Sequence, residues 1–381
     1  MKAIVRFATL AGAAVVGIGL LAALSTAATA ATSSAKPQVP STAVFVQSDN
    51  PDGNTVVAYG RGADGTLTEA ATYATGGLGG VLDGSAVDHL ASQGSLTYDA
   101  ASHSLYAVNA GSDSVTVFAV RGDTLTRTQV ISSGGAFPVS VAAHGHLVYV
   151  LNALDGGSIQ GYYRLGHRLR LIPRWNRPLG LPADEPQFTH TPGQVAFTPN
   201  GAKLVVTTKA ATNSIEVFRV GLFGRPSSSS VVNRLGTAVP FGVVFDRTGR
   251  LLVAEAGTNA VASFTIRPGG VLHQIEQLGT EQAATCWIVR NGDYLYASNA
   301  GSANVSGVYD AGRGSLDLLG TTSTDAGTVD AAASRDGQFV YVQAGAAGIV
   351  DEFRANSDGS LTAIGSVTVP GAAGGEGIVA L

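Results

Sequence analysis

The stretch Gly94–Phe118, GSLTYDAASHSLYAVNAGSDSVTVF, decides the fold. It reads as a short strand, a turn, a second apolar strand ending in a polar residue, a Gly/Asn loop and a Val-x-Val-Phe strand. The same order returns in Val139–Tyr163, Gly193–Phe218, Phe241–Phe264, Cys286–Tyr309 and Ala331–Phe353. The residues that close the second strand are Asn109, Asn152, Thr208, Glu255, Asn299 and Gln343, and they recur about every 45 residues. A unit of that length built from four short strands is a propeller blade.

The ends of the chain supply one blade more. The segment TAVFVQSDNPDGNTVVAY, from Thr42, has second and third strands with no first strand before them. The C-terminal GEGIVAL matches the first strands elsewhere, GQVAFT and GSLTYD. Joining the two closes a ring that would otherwise expose two sheet edges. The expected fold is all-β, a seven-bladed β-propeller closed by pairing the N-terminal strands with the C-terminal strand.

Residues 1–30 are set apart from that domain. Lys2 and Arg6 precede an apolar run from Ala8 to Leu24, and Ala28-Thr29-Ala30 offers a small-residue cleavage site, the pattern of a secretory signal peptide. Residues 31–40 are a Ser/Thr/Ala/Pro lead-in expected to lack fixed structure. Residues 41–381 form the single propeller domain, with no further segment apolar enough to span a bilayer. The expected location is outside the cell or on its envelope, and the expected state is a monomer.

Composition narrows the function. The formal charge is −4, and removing Lys2 and Arg6 leaves about −6, which argues against nucleic-acid binding. One cysteine, Cys286, permits no internal disulfide. Asp64-Gly65, Asn200-Gly201, Asn291-Gly292, Asp336-Gly337 and Asp358-Gly359 are hairpin turns. Three segments break the repeat: Ala74–Gly94 with Asp83, Asp88 and His89, the arginine-rich Arg164–His190 around Trp175, and Gly221–Ser230. Long loops on a rigid scaffold are where binding usually sits. No zinc spacing, calcium loop, P-loop or Gly-x-Ser-x-Gly elbow is present, so no metal or cofactor is expected.

In a propeller the first strands line the central channel, and the starts of first strands share a face with the ends of second strands. That face collects the strand-end residues together with Gln93, Gln194, Thr285, Asp330 and Glu376. Converging polar side chains at a funnel form the default site, with Gln93, Asn109, Asn152, Gln194, Asn299 and Gln343 as binding candidates. Glu255 and Lys209 stand out because other blades carry neutral residues there. Either they handle a proton and an anionic group, or they pair with each other or simply hydrate the rim. Strand-end asparagines have an alternative task, bonding their own loop backbone.

The units LYAVNAGSDSVTVF, LYASNAGSANVSGVY and FVYVQAG resemble the YVTN-type repeats of the seven-bladed lactonase-like propellers, which include bacterial 6-phosphogluconolactonases and carboxymuconate lactonizing enzymes. The resemblance covers nearly all of residues 41–381 and points to a secreted bacterial branch labelled lactonase or 3-carboxymuconate cyclase. It implies lactone chemistry on a small carboxylate or lactone in the funnel. Residue by residue, the family's His-x-His-like motif falls on Thr189–Gln194, where His190 alone remains, shifted in register. Its acidic strand end is Thr208-Lys209 here, and its Pro-Arg-His-like motif reads Val239-Pro240-Phe241-Gly242. Its strand-end glutamate is matched by Glu255. The resemblance implies Glu255 as the matching acid and His190 as the remaining histidine, and Lys209, singled out by its charge on the same face, completes the candidate catalytic set. Two readings stand at this point: a secreted lactone hydrolase or cyclase, and a non-catalytic binding or scaffold propeller of the cell envelope.

Overall fold

Each repeat folds into a four-stranded antiparallel sheet in the computed structural model, which describes residues 42–381. The predicted signal peptide and lead-in, residues 1–40, lie outside the described residues. Blade 1 takes its inner strand from the C-terminus, in the order Ile378–Ala380, Ala43–Gln47, Thr55–Arg61, Leu67–Ala74. Blades 2 to 7 run from inner to outer strand in chain order. Their inner strands are Leu96–Asp99, Pro138–His144, Gln194–Phe197, Pro240–Phe245, Thr285–Asn291 and Thr328–Ala333. Blade 3 carries an extra short strand, Arg177–Pro178, laid on its third strand Ser158–Leu165. The inner strands contact one another in sequence right round the ring, the last being Thr328–Ala333 against Ile378–Ala380 and that strand against Leu96–Asp99. The all-β, seven-bladed ring closed at its termini is what the repeat predicted. Residues 42–381 belong to one compact unit.

Sequence pattern and burial agree strand by strand. Second strands such as Ser104–Asn109 and Leu251–Glu255 are buried throughout, because each is covered by a blade on both faces. Outer strands such as Leu67–Ala74 are mostly exposed. The core lies between blades. One cluster joins Val205, Ile215 and Val217 of blade 4 to Val243, Val253 and Phe264 of blade 5, and another joins Val44, Val46 and Tyr59 of blade 1 to Phe339 and Tyr341 of blade 7.

A polar tie recurs across these seams. Tyr341 of blade 7 donates its hydroxyl to the carbonyl of Gly65 in blade 1 at 2.7 Å, and Tyr296 of blade 6 does the same to Gly359 in blade 7 at 3.1 Å. Tyr149 of blade 3 reaches Gly224 of blade 4 at 2.5 Å. Gly65 is held at φ +97°, and a Cβ there would stand 2.1 Å from the Phe339 ring, so no other residue fits the turn against its neighbour. A buried phenol thereby finds a partner while its ring fills the seam.

Closure rests on Val44, Phe45 and Val46 pairing with Ala380, Val379 and Ile378. Phe45 is fully buried between blades 1 and 2. Phe45→Ala is expected to lower unfolding free energy by about 3–5 kcal/mol, read as a shifted midpoint in denaturant melts. A shift no larger than that of an exposed substitution would refute a ring held at this seam.

Candidate functional site

The channel is braced at the predicted binding face. The Gln93 amide, from blade 2, donates to the Ile288 carbonyl at 3.0 Å and accepts from the Ile288 N–H at 3.0 Å, on the opposite blade 6. Trp287 of blade 6 returns the link, its indole N–H donating to the Ser92 carbonyl at 2.6 Å. A Cβ on Gly242 would lie 2.1 Å from the Gln93 amide oxygen, so this crossing needs glycine on blade 5. Both polar ends of Gln93 are spent on backbone, which makes it a cross-beam.

The other amides are engaged by neighbouring strands and loops or lie buried. Asn109 donates to Ser114 and Thr116 hydroxyls at 3.1 and 2.9 Å. Asn299 donates to Asn304 and Ser306 at 2.7 and 2.9 Å and accepts from Thr285 at 2.6 Å. Asn152 donates to the Ser133 carbonyl and the Ser158 hydroxyl, with its own oxygen unpartnered. Gln194 accepts from the Val243 N–H at 2.6 Å and so ties blade 4 to blade 5. Gln343 is buried with its amide oxygen unpartnered.

Glu255 and Lys209 do not meet. The Glu255 carboxylate accepts from Thr258 at 3.0 Å and from Gln277 on the outer strand of its own blade. It takes the place in blade 5 that the asparagines hold in blades 2 and 6. Burial pushes its pKa up, and the Gln277 and Thr258 bonds oppose that rise. His190 sits on a separate cleft with Asp155, Asp184 and Glu185, its Nδ1 within 2.9 Å of Thr189 Oγ1 and 3.1 Å of the Pro186 carbonyl. The three residues of the implied catalytic set thus occupy three different environments.

Lys209 lies at a cavity. It holds φ +48° at the end of blade 4's second strand, and its ammonium donates to the carbonyls of Ala91 and Phe188 at 2.6 and 2.7 Å and to Thr191 Oγ1 at 3.1 Å. Ala91 and Phe188 belong to two of the segments that interrupt the repeat. Residues 83–91 form a strap across the face: Asp83 bonds Gln187 and Phe188 at one end, and His89 donates its N–H to Gly374 at the other. Beneath it is a cavity of about 250 Å³ bounded by Val87, Phe188, Phe241, Cys286 and Trp287, with Lys209 and Asp88 in its wall. The rings of Phe241 and Trp287 stand 4.9 Å apart at 60°, and the Lys209 ammonium lies 5.4 Å from the Phe241 ring centre.

Behind this wall lies a set of buried acids that sequence reasoning had not joined. Asp88 accepts from the Leu90 and Ser92 N–H groups at 2.8 and 3.0 Å, Glu376 from Gly94 at 3.0 Å and Ser92 Oγ at 3.2 Å, and Asp49 from the Glu376 N–H at 2.8 Å. Asp330 shares a hydrogen bond with Glu376. Burial lifts Asp49 to about 8, Asp330 to about 7 and Asp88 to about 6, and burial with the neighbouring carboxyls lifts Glu376 far above its ordinary range. Burial pulls Lys209 down to about 7 against the attraction of Asp88, while its three acceptors suit an ammonium. The thiol of Cys286 is raised to about 12 by burial and is no nucleophile. Asp330 and Glu376 were visible as polar residues opening inner strands. Asp49 carried no signal, since it follows a second strand in a left-handed kink at φ +50°. Among the described residues no group of carboxylate, histidine or cysteine side chains is placed to hold a metal ion.

Searches for relatives show the fold. No protein-family model and no curated protein matches this chain. A candidate 6-phosphogluconolactonase from Bacteroides fragilis superposes with a TM-score of 0.67 at 18% identity, covering 88% of this chain and 97% of that one. A second, from Bacteroides uniformis, gives 0.70 at 17% identity over 87% and 98%. The periplasmic gluconolactonase of Pseudomonas aeruginosa gives 0.67 at 17% identity over 88% and 98%. The chain shares the seven-bladed fold of these lactonase-like propellers along almost its whole described length.

The buried acids set a pH dependence. Unfolded carboxyls titrate near pH 4, while these retain protons to about 6–8, so the native state binds more protons in between. Stability is fully present below about pH 4 and falls as pH rises through that range. Lys209, with a lowered pKa, restores some stability only above about 7. Melting midpoints should therefore drop between pH 5 and pH 7, and Glu376→Gln should flatten the drop. A midpoint rising over that interval would contradict protonated acids on the axis.

Proposed function

We propose that this chain is an exported lactonase-like propeller whose ligand is a small, mostly apolar lactone bound in the cavity beneath the 83–91 strap. The observation that carries the reading is the cavity wall: three aromatic rings and alanines for a ring skeleton, with one ammonium and one carboxyl group at the edge. Such a lining suits an aliphatic or muconate-type lactone better than a polyhydroxylated sugar lactone, whose hydroxyls would lose their water without replacement. The shared fold with proteins named as gluconolactonases supports the class of ligand, and the word periplasmic in one of those names agrees with the leader-like residues 1–30. Among the described residues no helix is long and apolar enough to cross a membrane.

Hydrolysis in this cavity would run from Asp88. A carboxyl with its pKa near 6 is ionised at neutral pH and basic enough to take a proton from water. The resulting hydroxide adds to the lactone carbonyl carbon, the ring C–O bond breaks, and the alkoxide takes the proton back to give a hydroxy acid. Lys209 stabilises the negative charge on the carbonyl oxygen by proximity. Glu255 has no part in this, because its carboxylate is turned into its own blade.

A second reading, binding without turnover, rests on a specific observation. Lys209 donates all three of its protons to protein acceptors, and both Asp88 oxygens already accept N–H groups. A panel of aliphatic, muconate-derived and sugar lactones separates the two. The lactonase reading expects turnover of apolar lactones, a loss of about 10²-fold or more in Asp88→Asn, and little change in Glu255→Gln. Saturable binding with no turnover would establish the binding reading. Neither binding nor turnover on any lactone would overturn the proposal.

A further inference from the structure

Two interruptions of the repeat, in blades 3 and 4, are locked together on the side of the disc away from the cavity. Second strands end on the cavity face, so third strands end on the opposite face. The turn after Leu165 in blade 3 and the excursion after Arg219 in blade 4 both project there. In the excursion, Val220 bridges to Pro226 and the Gly221 N–H donates to the Arg225 carbonyl at 2.9 Å, giving a tight hairpin tip. Gly224 at φ +87° rests on Leu147 and Trp175, so closely that a Cβ would stand 2.3 Å from the Leu147 side chain. Arg177 donates to the Pro226 and Ser227 carbonyls, each at 2.7 Å. The tip is thus clamped from below by blade 3.

What the clamp presents is unusual for a water-soluble surface. Leu222 is 100% exposed and Phe223 87%, with Leu165 on the neighbouring turn at 58%. Apolar side chains fixed outward on a rigid tip mark a contact site. Within the two segments the charge is of one sign, and Asp99 of blade 2, which reaches them, is paired with the buried Arg164 at 3.4 Å. No Asp or Glu occurs from Gly156 to Ala183 or from Val217 to Phe245, although the whole chain is net negative. Arg168, Arg170, Arg174, Arg219 and Arg225 are exposed, and none forms an ion pair among the described residues.

We propose that this edge docks onto an anionic phospholipid surface, with Leu222 and Phe223 entering the headgroup–acyl boundary and the arginines lying on lipid phosphates. An apolar wedge ringed by unpaired cations fits a charged bilayer interface, where burial and electrostatic attraction add. Docking this face leaves the strap and cavity turned toward solvent.

The test is cosedimentation of the propeller, residues 40–381, with phosphatidylcholine vesicles with and without phosphatidylglycerol. The expected result is binding to the anionic vesicles alone, weakening with salt. Leu222→Ser with Phe223→Ser should abolish it, and Arg168→Gln or Arg225→Gln should each weaken it roughly fivefold. These side chains are exposed, so the variants should melt with the parent. No sedimentation, equal sedimentation with neutral vesicles, or full binding by the double variant would each overturn the proposal. So would a dimer in analytical ultracentrifugation that the double variant abolishes, because the wedge would then serve a second copy of this chain.

Discussion

Three backbone pairs, Val44 with Ala380, Phe45 with Val379 and Val46 with Ile378, turn seven sheets into a ring. Without them, the second strand of blade 1 would face the channel with an open edge, and the seams of blades 1 and 7 and of blades 1 and 2 would lose a wall. Every other feature depends on that closure. The Tyr341–Gly65 tie needs blades 7 and 1 in contact, and the Gln93 and Trp287 cross-links need blades 2 and 6 at opposite ends of a fixed diameter. Covalent cross-links are not available to a chain with a single cysteine. Burial between blades and a few directed hydrogen bonds carry the architecture.

On that frame the cavity is assembled by one side chain. Lys209 gathers the carbonyls of Ala91 and Phe188, which come from the connection between blades 1 and 2 and from the insertion before blade 4. Its left-handed backbone directs the side chain toward the axis. The same ammonium that positions the strap also stands in the cavity wall, so the two features are not separable at this residue.

The fold was legible because a blade's second strand is covered on both faces and leaves an unbroken apolar run, as in Leu147–Asn152, while Gly turns space the runs evenly. The ties between blades were not legible, since Tyr149 and Tyr296 find carbonyls 75 and 63 residues further on, and nothing near either residue announces them. The candidate site divides the same way. Placing Glu255 beside Asn109 and Asn299 by strand position was sound, and the structure shows the reason: all three hold the loop or outer strand of their own blade. Charge alone could not reveal that orientation, because Gln277 comes from a different strand. Asp88 was visible only as one acid of a connector that breaks the repeat, and its place in the cavity wall follows from the path of the strap, which only tertiary structure determines.

The closing strand has a consequence for how the protein is made. Ile378–Ala380 leaves the ribosome after all the other strands of the propeller, yet it supplies the innermost position of the blade that begins at Ala43. Throughout synthesis the strand Ala43–Gln47 therefore carries an unpaired inner edge, a template for association with other chains. Blades 2 to 7 can form as local hairpins while the ring itself waits for a contact spanning nearly the whole domain, the slowest kind to make. A propeller of this design reaches its final shape only once its last strand has been made, and its earlier blades must stay unassociated until then.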